Sequence, residues 1–277
     1  MAEAHYLPTK RMILLPRSLT KTVHFIRHGE AFSNVAGHAD HAQYMSEAWF
    51  DASLSPHGWQ QAEALGRHVR AIALKPELVV VSPLTRALQT ASAAFGAGHA
   101  TSEDGEAPLM VEYPAIHGSQ HAHAAIASKG APPFVCMELC REHLGVHPCD
   151  RRRPTAHYKA HFPAVDFSLV TDETDQLWHP NERESRADIA ARGAQFLAWL
   201  MSRPESHIAV VSHSSFLHFT LTNFTGQMHN LPPSVASEYM RWFENCELRT
   251  LVLADPHMAA PPPCTTHFPG GHRAFSC

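Results

Sequence analysis

The stretch Thr22-Val23-His24-Phe25-Ile26-Arg27-His28-Gly29-Glu30 decides the fold. An apolar, partly β-branched run stops at a charged pair, and glycine then permits a backbone bend, so a buried strand is expected with a loop opening at Arg27. Two further runs share this design: residues 78–81 lead straight into Ser82-Pro83, and residues 208–211 end at Ser212-His213-Ser214-Ser215. Between them the period changes to that of a helix. Ser55 as N-cap and Pro56 at the first helical position precede Ala62, Leu65, Val69 and Ile72 on one face. Ser82 and Pro83 read as a second such pair ahead of Leu84, Ala87, Leu88 and Ala91, which puts Arg86 in a first helical turn. Residues 134–137 and 248–253 are expected to be strands and residues 188–201 a helix. Short strands alternating with helical patterns predict an α/β three-layer sandwich, its mostly parallel central sheet covered by helices on both faces. Residues 103–133, rich in glycine and proline and carrying His117, His121 and His123, read as a loop insertion over the site, with at most one short strand.

The 277 residues, 44% hydrophobic, suffice for one domain, expected over 22–254, with an N-terminal arm at 1–21 and a Pro/Gly-rich tail at 255–277. With 22 Lys+Arg against 26 Asp+Glu the net charge is −4, which excludes binding of nucleic acid by bulk charge. No apolar run approaches the ~18 residues of a membrane span, and the N-terminus lacks the features of a secretory signal. A soluble, cytoplasmic protein is expected. Lys10, Arg11, Arg17 and Lys21 suit an organelle transit peptide, but Glu3 and the scarcity of serine argue against one. The six cysteines are irregularly placed and read as reduced thiols. With 23 histidines in the chain, a histidine is informative only inside a motif.

Three strand ends deliver Arg27-His28, Arg86 and His213, and open α/β sheets bind ligands at the carboxyl ends of their strands. Two arginines among histidines describe a pocket for a phosphoryl group, because guanidinium forks match phosphate oxygens. An imidazole between arginines is favoured as the neutral base. Attack through one ring nitrogen splits ester hydrolysis into two easier steps through a phosphohistidine. Arg27, Arg86 and a protonated His213 would neutralise the transferring group, so neither metal nor cofactor is expected. The bland alternatives are a satisfied core histidine for His28 and ordinary helix-terminus residues for Arg86 and His213. Cys140, His143, His147 and Cys149 have the atom types of a zinc site but match no standard spacing. Arg151-Arg152-Arg153 fits a solvated or ion-paired surface better than an anion site.

These residues resemble the histidine phosphatase superfamily, also called phosphoglycerate mutase-like. Arg27-His28-Gly29-Glu30 with Asn34 resembles its opening motif, and Ser82 through Ala91 resembles its second, whose arginine binds phosphate. Leu54-Ser55-Pro56 with Gly58 and Gln61-Ala62 resembles the segment between them, and Ser212-His213-Ser214 the motif of the second pocket histidine. The region Leu139 to Gly145, continuing through Arg151-Arg152-Arg153, is most similar to the plant and fungal phosphoglycerate mutase-like branch. The resemblance implies that His28 is the nucleophile, that Arg27, Asn34, Arg86, His213 and Ser214 line the phosphate pocket, and that Glu142 is the proton donor. Two departures stand out. Ser214 replaces the usual glycine. In an ungapped register Arg141 takes the place of the mutase glutamate, and a one-residue loop shift restores Glu142, with Glu138 as the reserve donor and a surface ion pair as the bland reading of Glu142.

Ser33, where the mutases carry tryptophan, and Arg141-Glu142-His143-Leu144 in place of the mutase motif favour hydrolysis of a small phosphorylated substrate over phosphoryl transfer to an acceptor. The alternatives are mutase-type transfer and a phosphate-binding module without turnover. Oligomeric state and substrate are not legible, although the insertion and Trp178-His179-Pro180 are candidates for shaping specificity.

Overall fold

The computed structural model describes residues 15, 17–100, 105–114, 122–223 and 233–255. Its sheet contains β1 (Thr20–Arg27), β2 (Leu78–Val81), β3 (Phe134–Cys136), β4 (His207–Ser212) and β5 (Leu248–Ala254), in the order β3-β2-β4-β1-β5. All neighbours are parallel except β5, which runs antiparallel to β1. The register sets Arg27 beside Ser212 and Val81 beside Val211, so the three strand ends carrying the motifs finish side by side.

The helices are α1 (Phe32–Ala39), α2 (Pro56–Ala71), α3 (Thr85–Phe95), α4 (Thr155–His161), α5 (Arg186–Ser202), α6 (Ser214–Thr222) and α7 (Pro233–Met240). Alternation along β4 sorts two of the layers. Ala209 and Val211 face a core with Leu65 and Val69 of α2 and Leu88, Ala91 and Phe95 of α3. Ile208 and Val210 face a second core with Ile189, Phe196 and Leu200 of α5 and Phe216 and Leu217 of α6. Strands buried on both faces read as continuous apolar runs, which is why 78–81 and 208–211 show no polar alternation. No helix among the described residues is long and apolar enough to cross a membrane.

Several boundaries differ from expectation. β1 begins at Thr20, because Thr20 and Lys21 pair with Ala254 and Leu253 of β5. Buried Lys21 also donates to the carbonyls of Arg203 and Glu205, so it belongs to the sheet and not to an arm. Residues 1–14 and 256–277, most of the expected arm and tail, lie outside the described residues. Ser55 caps α2 as expected, accepting the Gly58 N–H at 3.0 Å, but the helix ends at Ala71 and Ile72 is 51% exposed instead of core-facing. Ser82 and Pro83 do not start α3. That helix begins at Thr85 and is capped from a distance: Asp51 accepts the Thr85 N–H at 2.9 Å and its hydroxyl at 2.6 Å. In the insertion, Leu109, Met110 and Ile126 join the core on the α2–α3 side, and His123 stacks on Trp59.

Candidate active site

The loop after β1 is held by residues from the helices that follow it. Gly29 N–H donates to Thr90 Oγ1 (3.0 Å), Glu30 N–H to Gln61 Oε1 (2.8 Å) and Ser55 Oγ to Glu30 Oε1 (2.6 Å). A Cβ on Gly58 would lie 1.9 Å from the Glu30 carbonyl oxygen, so only glycine lets α2 approach this loop. These contacts fix His28, 2% exposed, in one orientation. Its Nδ1 lies 2.6 Å from the Gly29 carbonyl, which only accepts, so Nδ1 carries the proton. Burial and the neighbouring Arg86 and Arg27 hold the ring well below the ordinary histidine range. Nε2 therefore keeps its lone pair. The Nε–H of Arg86 donates to that lone pair at 3.2 Å.

Arg86 lies in the first turn of α3, as its place in the sequence predicts. Its two terminal nitrogens bond the Cys149 carbonyl (2.6 Å) and Asp150 Oδ1 (2.9 Å). Arg27 donates to the Phe243 carbonyl at 2.7 Å, while its buried Nε has no partner among the described residues. His213 packs 5.0 Å from His28 between ring centroids. Its Nε2 lies 2.7 Å from Ser82 Oγ and its buried Nδ1 has no partner among the described residues. Burial, Arg86 and His28 hold His213 well below the ordinary range as well. That favours the neutral ring, and a bound phosphoryl dianion would favour the protonated form expected for the transfer step.

Arg27, His28 and Arg86 open on a cavity of ≈ 260 Å³ lined also by Asn34, Glu142 and Ser214 among others, whereas His213, expected in the lining, is fully buried behind His28 and is not part of it. Asn34 sits in the first turn of α1, where its Oδ1 accepts the Ala31 N–H. Glu142 bridges to α6: it accepts N–H bonds from His143 (2.8 Å), Phe216 (3.1 Å) and Ser215 (3.3 Å). A helix N-terminus favours a carboxylate or a phosphoryl oxygen, and Ser214 opens that helix. Glu138 is not in the cavity lining; it pairs with Arg141 (3.0 Å) and Arg152 (2.5 Å).

The sequence grouped Cys140, His143, His147 and Cys149 as possible metal ligands, and the fold separates them. Cys140 bonds the Met137 carbonyl and His143 the Glu184 carbonyl. His147, Cys149 and Asp150 do converge within 4.8 Å. Arg86 and Arg183 already occupy both Asp150 oxygens, and burial pushes the Cys149 thiol up, so this set does not suit a cation. Arg151, Arg152 and Arg153 pair with Glu47, Glu138 and Asp51; Arg151 and Arg153 are partly exposed, as an ion-paired surface requires, but Arg152 is buried, so its pair is internal and not the surface expected of it. No described residue of 103–133 or of Trp178-His179-Pro180 lines the cavity. Its outer wall comes instead from His41, Tyr44, His147, Arg183 and Trp242, of which the sequence marked only His147, and that as a possible metal ligand.

Residues 23–105 and 155–255 match the sequence profile of the histidine phosphatase superfamily (branch 1). The chain belongs to that superfamily. Two relatives from Arabidopsis thaliana are similar over most of their length: a phosphoglycerate mutase-like protein (46% identical, 93% of each chain) and phosphoglycerate mutase-like protein 1 (43% identical, 93% of this chain and 89% of the other). Among solved structures, a mycobacterial glucosyl-3-phosphoglycerate phosphatase aligns with a TM-score of 0.46 at 21% identity, over 84% of this chain and 90% of that one. Superfamily membership supports a phosphatase or mutase-type enzyme.

Proposed function

We propose that the protein is a phosphatase that hydrolyses a small phosphate monoester through a phosphohistidine on His28. The observation that carries this reading is the neutral His28 ring, its Nδ1–H fixed on Gly29 and its Nε2 lone pair directed at the arginine that would hold the phosphoryl group. Nε2 attacks phosphorus while Arg27, Arg86, Asn34 and the Ser214 N–H bind the equatorial oxygens, and the ester P–O bond breaks. Glu142 gives its proton to the leaving oxygen. Water then attacks phosphorus, Glu142 takes the proton back, and the P–N electron pair returns to Nε2. His213 supports the transferring group alongside His28. Ser33 and the Arg141-Glu142-His143-Leu144 stretch favour water over a second substrate as acceptor. The net charge of −4 supports a small molecule and not a nucleic acid as the partner, and no element of the reading calls for a compartment other than the cytoplasm.

The experiment is phosphate release from a panel of monoesters in ¹⁸O-labelled water. Hydrolysis predicts one labelled oxygen per phosphate released. Transfer to an added alcohol or phosphoglycerate, without labelled phosphate, would favour the mutase reading, and no turnover of any ester would favour a binding module.

A further inference from the structure

Beyond the phosphate end, two observations bear on what the rest of the substrate must look like. The first is a built aromatic wall. The Tyr44 ring stacks on His147, centroids 5.5 Å apart and planes 15° apart, and meets the edge of His41 at 5.3 Å. Its position is fixed from behind by Gly37 of α1, where a Cβ would lie only 2.2 Å from the Tyr44 ring carbons. Trp242 adds an indole to the same lining, stacked on His218 (4.0 Å, 10°) yet still 48% exposed. A flat surface of this kind gains by stacking on another flat ring.

The second observation is the charge balance. Among the described residues the lining holds three permanent cations, Arg27, Arg86 and Arg183, and two acidic side chains, Glu142 and Asp150. Arg183 is the only one of the three outside the phosphate cluster. It donates to Asp150 Oδ2 at 3.1 Å and to the Gly145 carbonyl. Burial and Arg183 also hold His147 below the ordinary range, so it is neutral. A second anionic group on the substrate would meet Arg183 with Asp150 already beside it, and would gain little net attraction.

We infer that the outer cavity is a subsite for the leaving alcohol, selecting phosphomonoesters whose alcohol carries a flat, uncharged ring over those carrying a carboxylate or a second phosphate. The stacking surfaces are the part of the Tyr44 face that the offset His147 ring leaves uncovered and the exposed side of the Trp242 indole, and Gly37, packed against Tyr44 from behind, sets its position. The inference rests on the phosphate-pocket reading above but not on turnover.

The test is therefore equilibrium binding of non-hydrolysable phosphonates by titration calorimetry on the full chain. Three ligands share one phosphonate head: 2-phenylethylphosphonate, butylphosphonate and 3-carboxypropylphosphonate. Stacking predicts that the phenyl compound binds about tenfold more tightly than the butyl one, and that the carboxylate compound binds no better than the butyl. Tyr44→Leu keeps apolar bulk and should shrink the phenyl-to-butyl ratio to about twofold. Gly37→Ala, which removes no ring, should shrink it too by displacing Tyr44. Because the readout is a ratio, it does not depend on how well a variant binds phosphonate, and the wild-type ratio decides even if a variant fails to fold. Equal binding of phenyl and butyl ligands, or preference for the carboxylate, overturns the inference. Ring preference without any ester turnover would overturn only the phosphatase reading, whereas turnover without ring preference would overturn only this one. Binding of none of the three would contradict both.

Discussion

Arg86 Nε lies 3.2 Å from His28 Nε2 while the other two nitrogens of the same guanidinium are tied to the Cys149 carbonyl and Asp150. The carboxylate therefore aims the arginine at His28, the proposed nucleophile, although it also places negative charge near the proposed phosphate pocket. Asp150→Asn keeps the shape and removes the charge. The expected result is a split: KM for phosphate esters falls or holds, because repulsion is relieved, while kcat drops on the order of tenfold because Arg86 is less well oriented. A rise in KM at unchanged kcat would show that Asp150 acts on binding alone.

Glu142 and Glu138 are separated by leaving-group chemistry. An alkyl alkoxide needs a proton in the transition state, an effect worth ~10²–10⁴-fold, whereas an activated aryl oxide departs with little help. Glu142→Gln should slow hydrolysis of alkyl phosphates by that factor and barely change phosphorylation by an aryl phosphate. Glu138→Gln loosens the contacts to Arg141 and Arg152 and should lower thermal stability instead. The reverse pattern in steady-state assays would move the donor to Glu138.

Several wholly or partly buried histidines make the fold sensitive to acid. His28 and His213 are held well below the ordinary value of 6.5, His157 is lowered to about 4, and His24 is lowered by burial. Below pH 6.5 the unfolded chain binds more protons than the folded one, so stability is full above that pH and is lost as pH falls toward the folded values. Asp51, pushed up by burial, works in the opposite direction near the carboxylate range. Urea midpoints should hold between pH 7 and 8 and decline from about pH 6.5 to 4.5. A midpoint that rises on acidification across that window would contradict the neutral assignment of these rings.

Asp51 ties α3, which carries Arg86, to the loop before α2 and to α4. It accepts from the Thr85 N–H and hydroxyl and from Tyr158 (2.9 Å), with Arg153 at 3.2 Å. Asp51→Ala removes a helix cap and leaves buried donors unpaired, which should cost about 2–4 kcal/mol in unfolding free energy. Chemical denaturation checks this, and a loss below ~0.5 kcal/mol would mean that Thr85 and Tyr158 find other acceptors.

The histidines and arginines of the phosphate end were legible because each directly follows a strand or opens a helix whose apolar pattern is unambiguous. Ser82 reads locally as a helix N-cap; its hydroxyl instead meets His213, a contact over 131 positions that no local pattern reveals. Capping of α3 by Asp51 was hidden for the same reason. The outer wall was the least legible part. Tyr44 lies in a short 3-10 helix (His41–Met45) and Arg183 and Trp242 in loops, all without an apolar period, and the composition of 103–133 drew the substrate-facing role to a segment whose Leu109, Met110 and Ile126 are buried in the core. Asp150 stood beside three arginines that drew the reading to themselves, yet it is the acid between Arg86 and Arg183 that bears on the pocket.

The central claim is that His28 Nε2 takes the phosphoryl group. Rapid-quench labelling with a ³²P-labelled aryl phosphate, followed by peptide mapping, tests it most directly. The account predicts label that is stable in base, lost in acid, located on the peptide containing His28, and absent from His28→Ala. Label that survives in that variant, or that maps to a serine or a carboxylate, would contradict it.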